Sequence, residues 1–166
     1  TIICSVSALL LGGAYQLTKP QIDLRNVEKQ EIAVKAVLPE FDNKPLDQAV
    51  WLDKSGTVLE NTPANAGLAL TKIFPASRQG STVGWAVMSY SDKGYAKRIV
   101  TMTGFLPDGS ISTVQVMEQG ETPGLGTKIA EPRFLDQFKG KNLASTPLAV
   151  KKDGGEVDAI TAATIS

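Results

Sequence analysis

The chain has 166 residues, of which 42% are hydrophobic and 20% charged, as expected of a globular protein. Its 17 basic and 17 acidic side chains cancel, so no net positive charge attracts nucleic acid, and we expect no nucleic-acid partner. Histidine is absent and Cys4 is the only cysteine, which excludes an internal disulfide, a zinc cluster and an iron–sulfur centre. We therefore expect no metal site, no catalytic acid–base residue, and a function that depends on hydroxyls, carboxylates, backbone groups or a bound cofactor.

Residues 2–17 carry no charged side chain, and a membrane span needs about 20 such residues. Since the chain starts at Thr1 rather than methionine and stops at Ser166 where a helix is predicted to begin, we expect it to be trimmed at both ends. Residues 1–19 are predicted to be a transmembrane anchor truncated at its start, with Tyr15 and Lys19 at the membrane interface. The alternative interpretation is the apolar core of a signal peptide.

Pro20 is predicted to end this span. Residues 24–38, up to Pro39, place apolar side chains at helical spacing among charged ones, which predicts an amphipathic helix. Residues 20–45 would then connect the anchor to a domain that covers residues 46–166.

Within that domain, runs rich in β-branched and aromatic residues predict strands. The predicted strands are Val50–Leu52, Ala69–Phe74, Thr82–Tyr90, Tyr95–Phe105 and Ile111–Met117. Pro107, Asp108 and Gly109 predict a hairpin between the last two. A helix is expected around Phe134–Phe138, and a further hairpin across residues 146–157. The predicted fold class is α+β: an antiparallel sheet with a few helices, preceded by one transmembrane helix.

One segment that carries chemistry is the turn Glu121-Thr122-Pro123-Gly124-Leu125-Gly126-Thr127-Lys128, between a predicted strand and a predicted helix. Its glycines allow close approach to the backbone, whose N–H groups bind planar or anionic ligands. By itself this pattern also fits a plain turn.

The second segment is Asp158-Ala159-Ile160-Thr161-Ala162-Ala163-Thr164-Ile165-Ser166. Asp158 or Thr161 is predicted to cap a helix whose N-terminal N–H groups favour an anion such as phosphate. By itself this pattern also fits a capped helix start without a ligand.

Together, Glu-Thr-Pro-Gly-Leu-Gly and the later Asp-Ala-Ile-Thr-Ala-Ala-Thr resemble the FMN-binding domain shared by two families of ion-pump proteins. These are RnfG, of the Rnf ferredoxin:NAD oxidoreductase, and NqrC, of the sodium-translocating NADH:quinone oxidoreductase. In these families a flavin transferase joins the FMN phosphate to a threonine hydroxyl as a phosphodiester. The resemblance places covalent FMN on Thr164. The family motif has glycine where this chain has Ala162.

The resemblance also assigns roles to the other residues of the two segments. Thr161, Ala162 and Ala163 would contact the phosphate, and Lys128 would neutralise it unless that lysine is simply solvated. Glu121 and Thr122 would bond the polar ring edge or the ribityl chain, and Leu125 and Gly126 would pack on the flavin. Trp85 is predicted to stack on the ring, with a position in the core as the alternative.

The resemblance implies an electron-carrier subunit of an Rnf-type complex that couples electron transfer to Na⁺ or H⁺ translocation. Its partners would be the other membrane subunits, the flavin transferase and membrane lipid around the N-terminal helix. The expected location is the bacterial inner membrane, with a single span and an extracytoplasmic domain. The alternatives are an NqrC protein of the quinone reductase, an isolated flavin-binding regulator, and a tethered structural protein without flavin.

Overall fold

The computed structural model describes residues 2–53, 55–59, 71–146 and 148–161. The chain divides into two compact units, Thr1–Ile32 and Ala33–Ser166. The three-part division predicted at residues 19/20 and 45/46 stays a prediction.

The N-terminal helix α1 runs from Ile2 to Val37 without interruption and contains Pro20. The prediction that Pro20 ends one segment and a second helix starts at residue 24 is therefore wrong. Proline removes one backbone hydrogen bond, at a cost of about 3 kcal/mol, and the turns on both sides outweigh this cost in a long helix. Within the described residues, no helix combines the length and the apolar character needed to cross a bilayer. The transmembrane anchor stays a prediction.

The domain is built on one antiparallel sheet of six strands in the order β2-β1-β3-β4-β5-β6. The strands are β1 (Val50–Leu52), β2 (Val58–Leu59), β3 (Thr71–Arg78), β4 (Ser81–Ser91), β5 (Ile99–Phe105) and β6 (Ile111–Glu118). The predicted antiparallel α+β architecture is confirmed. β2 has no counterpart among the predicted strands, since two residues are too few to show a strand period.

The core lies between one face of the sheet and the last turns of α1. Ala33, Val34, Val37 and Leu38 are buried and share one helical face, because residues three and four apart lie above one another. They pack against a group of sheet residues that are also buried: Phe74, Ala76, Ala86 and Met102.

Gly104 on β5 permits the close approach of the end of α1 to the sheet. A Cβ atom at this position would overlap the backbone carbonyl of Val37. Glycine weakens a strand interior, and it is found there where another backbone approaches closely. The position of the last turn of α1 over β5 thus depends on the absence of this side chain.

The hairpin between β5 and β6 turns at Pro107–Gly109, as predicted. Gly109 takes a positive φ of 81°. Asp108 accepts hydrogen bonds from the hydroxyl (2.6 Å) and the N–H (2.9 Å) of Ser110. These bonds, the hydroxyl bond foremost, lower the pKa of Asp108 because they favour the charged carboxylate.

Beyond β6, short helical turns replace longer elements. They are the 3-10 turn Gly126–Ala130, the one-turn helix α2 (Pro132–Leu135), and the 3-10 turns Asp136–Phe138 and Lys151–Asp153. The helix predicted around Phe134–Phe138 is present in this shortened form. The hairpin predicted across residues 146–157 is wrong, because Val150 and Val157 form a single parallel bridge. One parallel bridge, rather than two antiparallel strands, therefore closes this loop. Gly154, in its turn, takes a φ of 84°.

Candidate functional site

The turn after β6 is anchored by the buried side chain of Glu121, which is only 7% exposed. Its Oε1 accepts the backbone N–H of Tyr95 at 2.8 Å, and its own N–H donates to Oε1 of Gln119 at 2.6 Å. A buried carboxylate is costly unless it is hydrogen-bonded. Glu121 thereby joins the turn to the connection between β4 and β5.

Glycine lies directly against this carboxylate. A Cβ atom on Gly126 would come within 2.6 Å of Oε2 and 2.7 Å of Cβ of Glu121. Real Cβ atoms do not approach other atoms that closely, since packed interiors leave no room for overlap. The second glycine of the motif is therefore required by the packing around Glu121.

Backbone bonds close the turn. The N–H groups of Leu125 and Thr127 both donate to the carbonyl of Thr122, at 3.1 and 3.3 Å. The N–H of Gly124, at a φ of 76°, donates to Oγ1 of Thr127 at 3.0 Å. Thr122 is exposed and Leu125 is 41% exposed, so both side chains are accessible on the outside of the turn.

Lys128, at the end of this turn, lines a cleft of about 500 Å³ between the short helical turns and the end of the described chain. The residues that line it are Lys128, Glu131, Arg133, Phe134, Gln137, Asp158, Ala159, Ile160 and Thr161. This volume lies within the range of roughly 300–1,000 Å³ that is usual for small-molecule sites.

Two cations in the cleft are available to an anion. Within the described part of the chain, neither Lys128 nor Arg133 forms an ion pair. The carboxylate of Asp158 instead pairs with Nζ of Lys151 at 2.6 Å, which offsets its charge. The cleft also offers the aromatic ring of Phe134, which packs edge-to-face on Phe138 with 5.5 Å between ring centroids.

The last described residues reach the cleft through a set of polar contacts. Gln137 accepts the backbone N–H of Asp158 at 2.6 Å. Just before it, Val157 is buried and Glu156 forms an ion pair with Lys141. The hydrogen bond from Lys141, and then its positive charge, lower the pKa of Glu156.

The two predicted segments therefore meet, since Lys128 from the first and Thr161 from the second line the same cleft. No helix begins at Asp158: residues 158–160 are irregular and Thr161 lies in a turn. Ala162, Ala163 and Thr164 lie outside the described residues. The contacts predicted between FMN and Glu121, Thr122, Leu125 and Gly126 stay predictions.

Trp85 lies elsewhere on the sheet. It is 37% exposed in β4, opposite Pro75 on one neighbouring strand and Phe105 on the other. It does not belong to the described lining of the cleft. Its stacking on the flavin stays a prediction.

Four residues of the cleft lining lie outside the two predicted segments: Glu131, Arg133, Phe134 and Gln137. The available signal was the Glu-Pro-Arg-Phe stretch, where proline starts a helix and the next side chains share its first turn. As for metals, the described residues contain no group of three or more His, Cys, Asp or Glu side chains arranged to hold an ion.

Comparison with known proteins identifies relatives over nearly the whole chain. The FMN-binding domain family matches residues 94–166. The RnfG protein of the ion-translocating oxidoreductase complex of Stutzerimonas stutzeri is 34% identical over 99% of this chain and 70% of its own length. Its counterpart in the Na⁺-translocating ferredoxin:NAD⁺ oxidoreductase complex of Acetobacterium woodii is 30% identical over 99% of this chain and 80% of its own length.

The fold is also found in a crystal structure, that of NqrC from Shewanella oneidensis. The superposition has a TM-score of 0.53 and 22% identity, and it covers 82% of this chain and 75% of the other. At this identity the likeness shows the fold alone. The resemblance inferred from the two motifs is confirmed: this chain belongs to the RnfG family of ion-translocating oxidoreductase complexes and carries that family's FMN-binding domain.

Proposed function

We propose that this protein is an electron-carrier subunit of an Rnf-type complex, with FMN attached covalently to the hydroxyl of Thr164. The observation that carries the proposal is the cleft in which Lys128 and Thr161, one from each motif, lie together. Both residues fall within the region matched by the FMN-binding domain family, as does Thr164.

The lining of the cleft fits FMN. A phosphate needs positive charge and hydrogen-bond donors, which Lys128 and Arg133 supply without competing ion pairs among the described residues. A flavin ring needs apolar and aromatic surface, which Phe134 and Ile160 supply. The hydroxyl of Thr161 adds a polar partner for the phosphate or the ribityl chain.

When bound, the flavin supplies the redox chemistry of the site. The chain's part is to hold and orient it, which suits a protein that contains no histidine. Glu121 acts below the surface: through Tyr95 N–H and Gly126 it sets the path of the turn that carries Lys128. Lys128 and Arg133 hold negative charge in the cleft, and Phe134 excludes water from one side of it.

Covalent attachment has a physical reason in the exposure of the cleft. Lys128, Glu131, Arg133 and Thr161 are all exposed, so a ligand held by them alone remains in contact with water. Exposed charge pairs contribute little, typically below about 1 kcal/mol each. A phosphodiester bond to a threonine retains the cofactor where such contacts do not.

For the surrounding complex, we propose partners like those named for the relatives. The Acetobacterium woodii protein is named as part of a Na⁺-translocating ferredoxin:NAD⁺ oxidoreductase. We propose the same electron donor and acceptor here, with Na⁺ or H⁺ as the coupling ion. The RnfG relatives from Acetobacterium woodii and Stutzerimonas stutzeri share 30% and 34% identity with this chain, against 22% for NqrC. This difference favours the Rnf assignment over the quinone reductase.

We further propose that the N-terminal segment attaches the protein to the bacterial inner membrane, with the FMN domain on the extracytoplasmic side. Residues 2–17 are uncharged, and Leu9, Leu10, Leu11 and Leu17 are between 69% and 83% exposed. Apolar surface of this extent favours a lipid environment. Cell fractionation with and without residues 1–19 tests the attachment, and recovery of the intact chain in the soluble fraction would contradict it.

The attachment site is tested by intact-mass spectrometry after co-expression with a flavin transferase. We expect the wild-type chain to gain the mass of FMN minus one water and to stay yellow after denaturation. Thr164→Ala should abolish the gain. Thr82→Ala, an exposed threonine on β4 that is outside the described lining of the cleft, is the matched control and should still gain the mass.

A wild-type chain that never gains this mass, under conditions where a known RnfG protein does, would leave the tethered structural protein as the remaining interpretation. Ala162, where the family has glycine, is the residue to change first in that case. Ala162→Gly should then restore attachment if this departure is the cause.

A further inference from the structure

The loop before the proposed acceptor segment has one well-defined path. Val157 donates its N–H to the carbonyl of Ala149 at 3.1 Å, and Lys151 donates to the carbonyl of Val157 at 2.9 Å. A Cβ atom on Gly155 would overlap the backbone of Ala149, so the two sides of the loop are in direct contact. Since Val157 is also buried, the chain leaves this loop at a fixed point, Asp158.

At Asp158 the main chain is held by Gln137. The half-buried Gln137 accepts the N–H of Asp158 through Oε1 at 2.6 Å, and its Nε2 donates to the carbonyl of Phe134 at 3.3 Å. The Asp158 carboxylate points to a different partner, Lys151, at 2.6 Å. The backbone and the side chain of Asp158 thus have separate partners.

The residues that follow this contact lie along the cleft. Ala159, Ile160 and Thr161 line the same cleft as Gln137 and Phe134. A primary amide carries a donor and an acceptor on one planar group, so Gln137 can bridge α2 and the C-terminal segment with a single side chain. A leucine of similar size would keep the packing and lose both bonds.

We propose that Gln137 is a positioning residue that holds segment 158–161 in the cleft and so presents the acceptor threonine to the transferase. There the threonine hydroxyl loses its proton and attacks the flavin phosphate of an activated donor, a flavin dinucleotide, whose nucleoside monophosphate leaves. The inference rests on the proposed function, because it concerns the same attachment. Gln137 acts through the backbone of Asp158 and needs no contact with the flavin.

The experiment compares Gln137→Leu and Gln137→Ala with Gln137→Glu in the full chain. A glutamate retains an acceptor oxygen for the Asp158 N–H, whereas leucine and alanine do not. Lys139→Leu, an exposed change two residues away, is the control. Two quantities are measured: amide hydrogen exchange of Asp158 without flavin, and the rate of flavin attachment by intact mass with purified transferase and a flavin dinucleotide as donor.

We expect Asp158 exchange to become about fivefold faster in the leucine and alanine variants, since one hydrogen bond contributes about 1 kcal/mol. Attachment should slow by a similar factor. Lys139→Leu should stay within about twofold of wild type in both measurements. Gln137→Glu should stay within about twofold in Asp158 exchange, and only its exchange is compared, since the new carboxylate also adds negative charge to the cleft. Agreement between alanine and leucine separates the lost bond from any packing defect that is particular to one variant.

Three outcomes would overturn the inference. Unchanged Asp158 exchange in both the leucine and the alanine variant would show that the hydrogen bond to Gln137 does not hold the backbone at Asp158. Faster exchange with an unchanged attachment rate would show that holding this segment does not matter for modification. In both cases the wild-type chain still accepts flavin and the proposed function stands. If the wild-type chain accepts no flavin at all, the proposed function fails and the inference fails with it.

Discussion

The core and the cleft of this domain are built by different forces. In the core, Phe74, Met102, Val34 and Val37 are all less than 2% exposed, and apolar contact holds the end of α1 on the sheet. From residue 119 to residue 161, only Glu121, Gly126 and Val157 are buried among the described residues. That region depends on individual hydrogen bonds, ion pairs and close approaches at glycine.

The difference predicts a separation of effects. Burial stabilises in proportion to apolar area, so changes in the core should act on the free energy of unfolding. Single hydrogen bonds contribute about 0.5–1.5 kcal/mol each, so changes around the cleft should act mainly on flavin attachment. Four predictions test this separation, in order of decreasing expected effect.

Phe74→Ala should lower the free energy of unfolding by about 3–5 kcal/mol, because it removes a fully buried aromatic ring. Phe134→Ala, at the half-buried ring in the cleft, should cost less than about 1.5 kcal/mol, since it loses chiefly the contact with Phe138. Urea denaturation followed by tryptophan fluorescence measures both. Equal losses in the two variants would contradict the comparison.

Gly104→Ala should lower the free energy of unfolding by the upper part of the roughly 1–3 kcal/mol expected for overpacking, because the new methyl group meets the Val37 backbone rather than a flexible side chain. Gly12→Ala in α1 is the matched control, since nothing apart from its chain neighbours and the backbone of its own helix lies within 4 Å of the new methyl group. Alanine favours a helix over glycine by about 1 kcal/mol, so the control should not destabilise. A neutral Gly104→Ala would mean that the end of α1 can move away from β5.

Glu121→Leu should cost about 1–2 kcal/mol, because it leaves the Tyr95 N–H without its acceptor. It should also slow flavin attachment, since Gly126 and the turn that carries Lys128 rest on this side chain. Glu131→Leu changes an exposed carboxylate of the same region and should stay within about 0.5 kcal/mol of wild type. Denaturation and intact mass measure the two effects, and attachment at the wild-type rate would argue against this role of Glu121.

Glu156→Gln should have the smallest effect on stability, and the effect should be seen in how the stability of the loop depends on pH. Lys141 holds the folded-state pKa of Glu156 below its usual 4.5, so the ion pair stabilises the fold above that pH. The stabilisation is lost as the pH falls through the lowered pKa, because the folded state then also binds the proton. The protection of the Val157 amide against hydrogen exchange, relative to the unfolded chain at the same pH, should fall between pH 7 and pH 3 in the wild-type chain. In Glu156→Gln the protection should change less over this range. Identical profiles would show that the pair does not hold the loop.

The sequence predicted the parts of the fold that depend on local patterns. The longer strands and the hairpin at Pro107–Gly109 were found because alternation and turn residues lie within a few positions of one another. The continuation of α1 through Pro20 was not predicted. A local pattern shows the hydrogen bond that proline removes, but not the stabilisation by the helical turns on both sides of it. The loop across residues 146–157 was mistaken for a hairpin because glycines in a turn do not specify whether the returning chain pairs parallel or antiparallel.

The sequence by itself determined the chemistry that this protein can use and the family to which it belongs. The absence of histidine, the single cysteine and the two separated motifs are properties of composition and order, and no folding changes them. Only the tertiary structure decided that Lys128 and Thr161 share a cleft, that Arg133 and Gln137 line it, and that Glu121 is buried beneath the turn. The hydrogen bond from the Asp158 N–H to Gln137 joins residues 21 positions apart, and the one from the Tyr95 N–H to Glu121 joins residues 26 positions apart. Contacts over such separations are set by packing of the whole domain, because local propensity extends only a few residues along the chain.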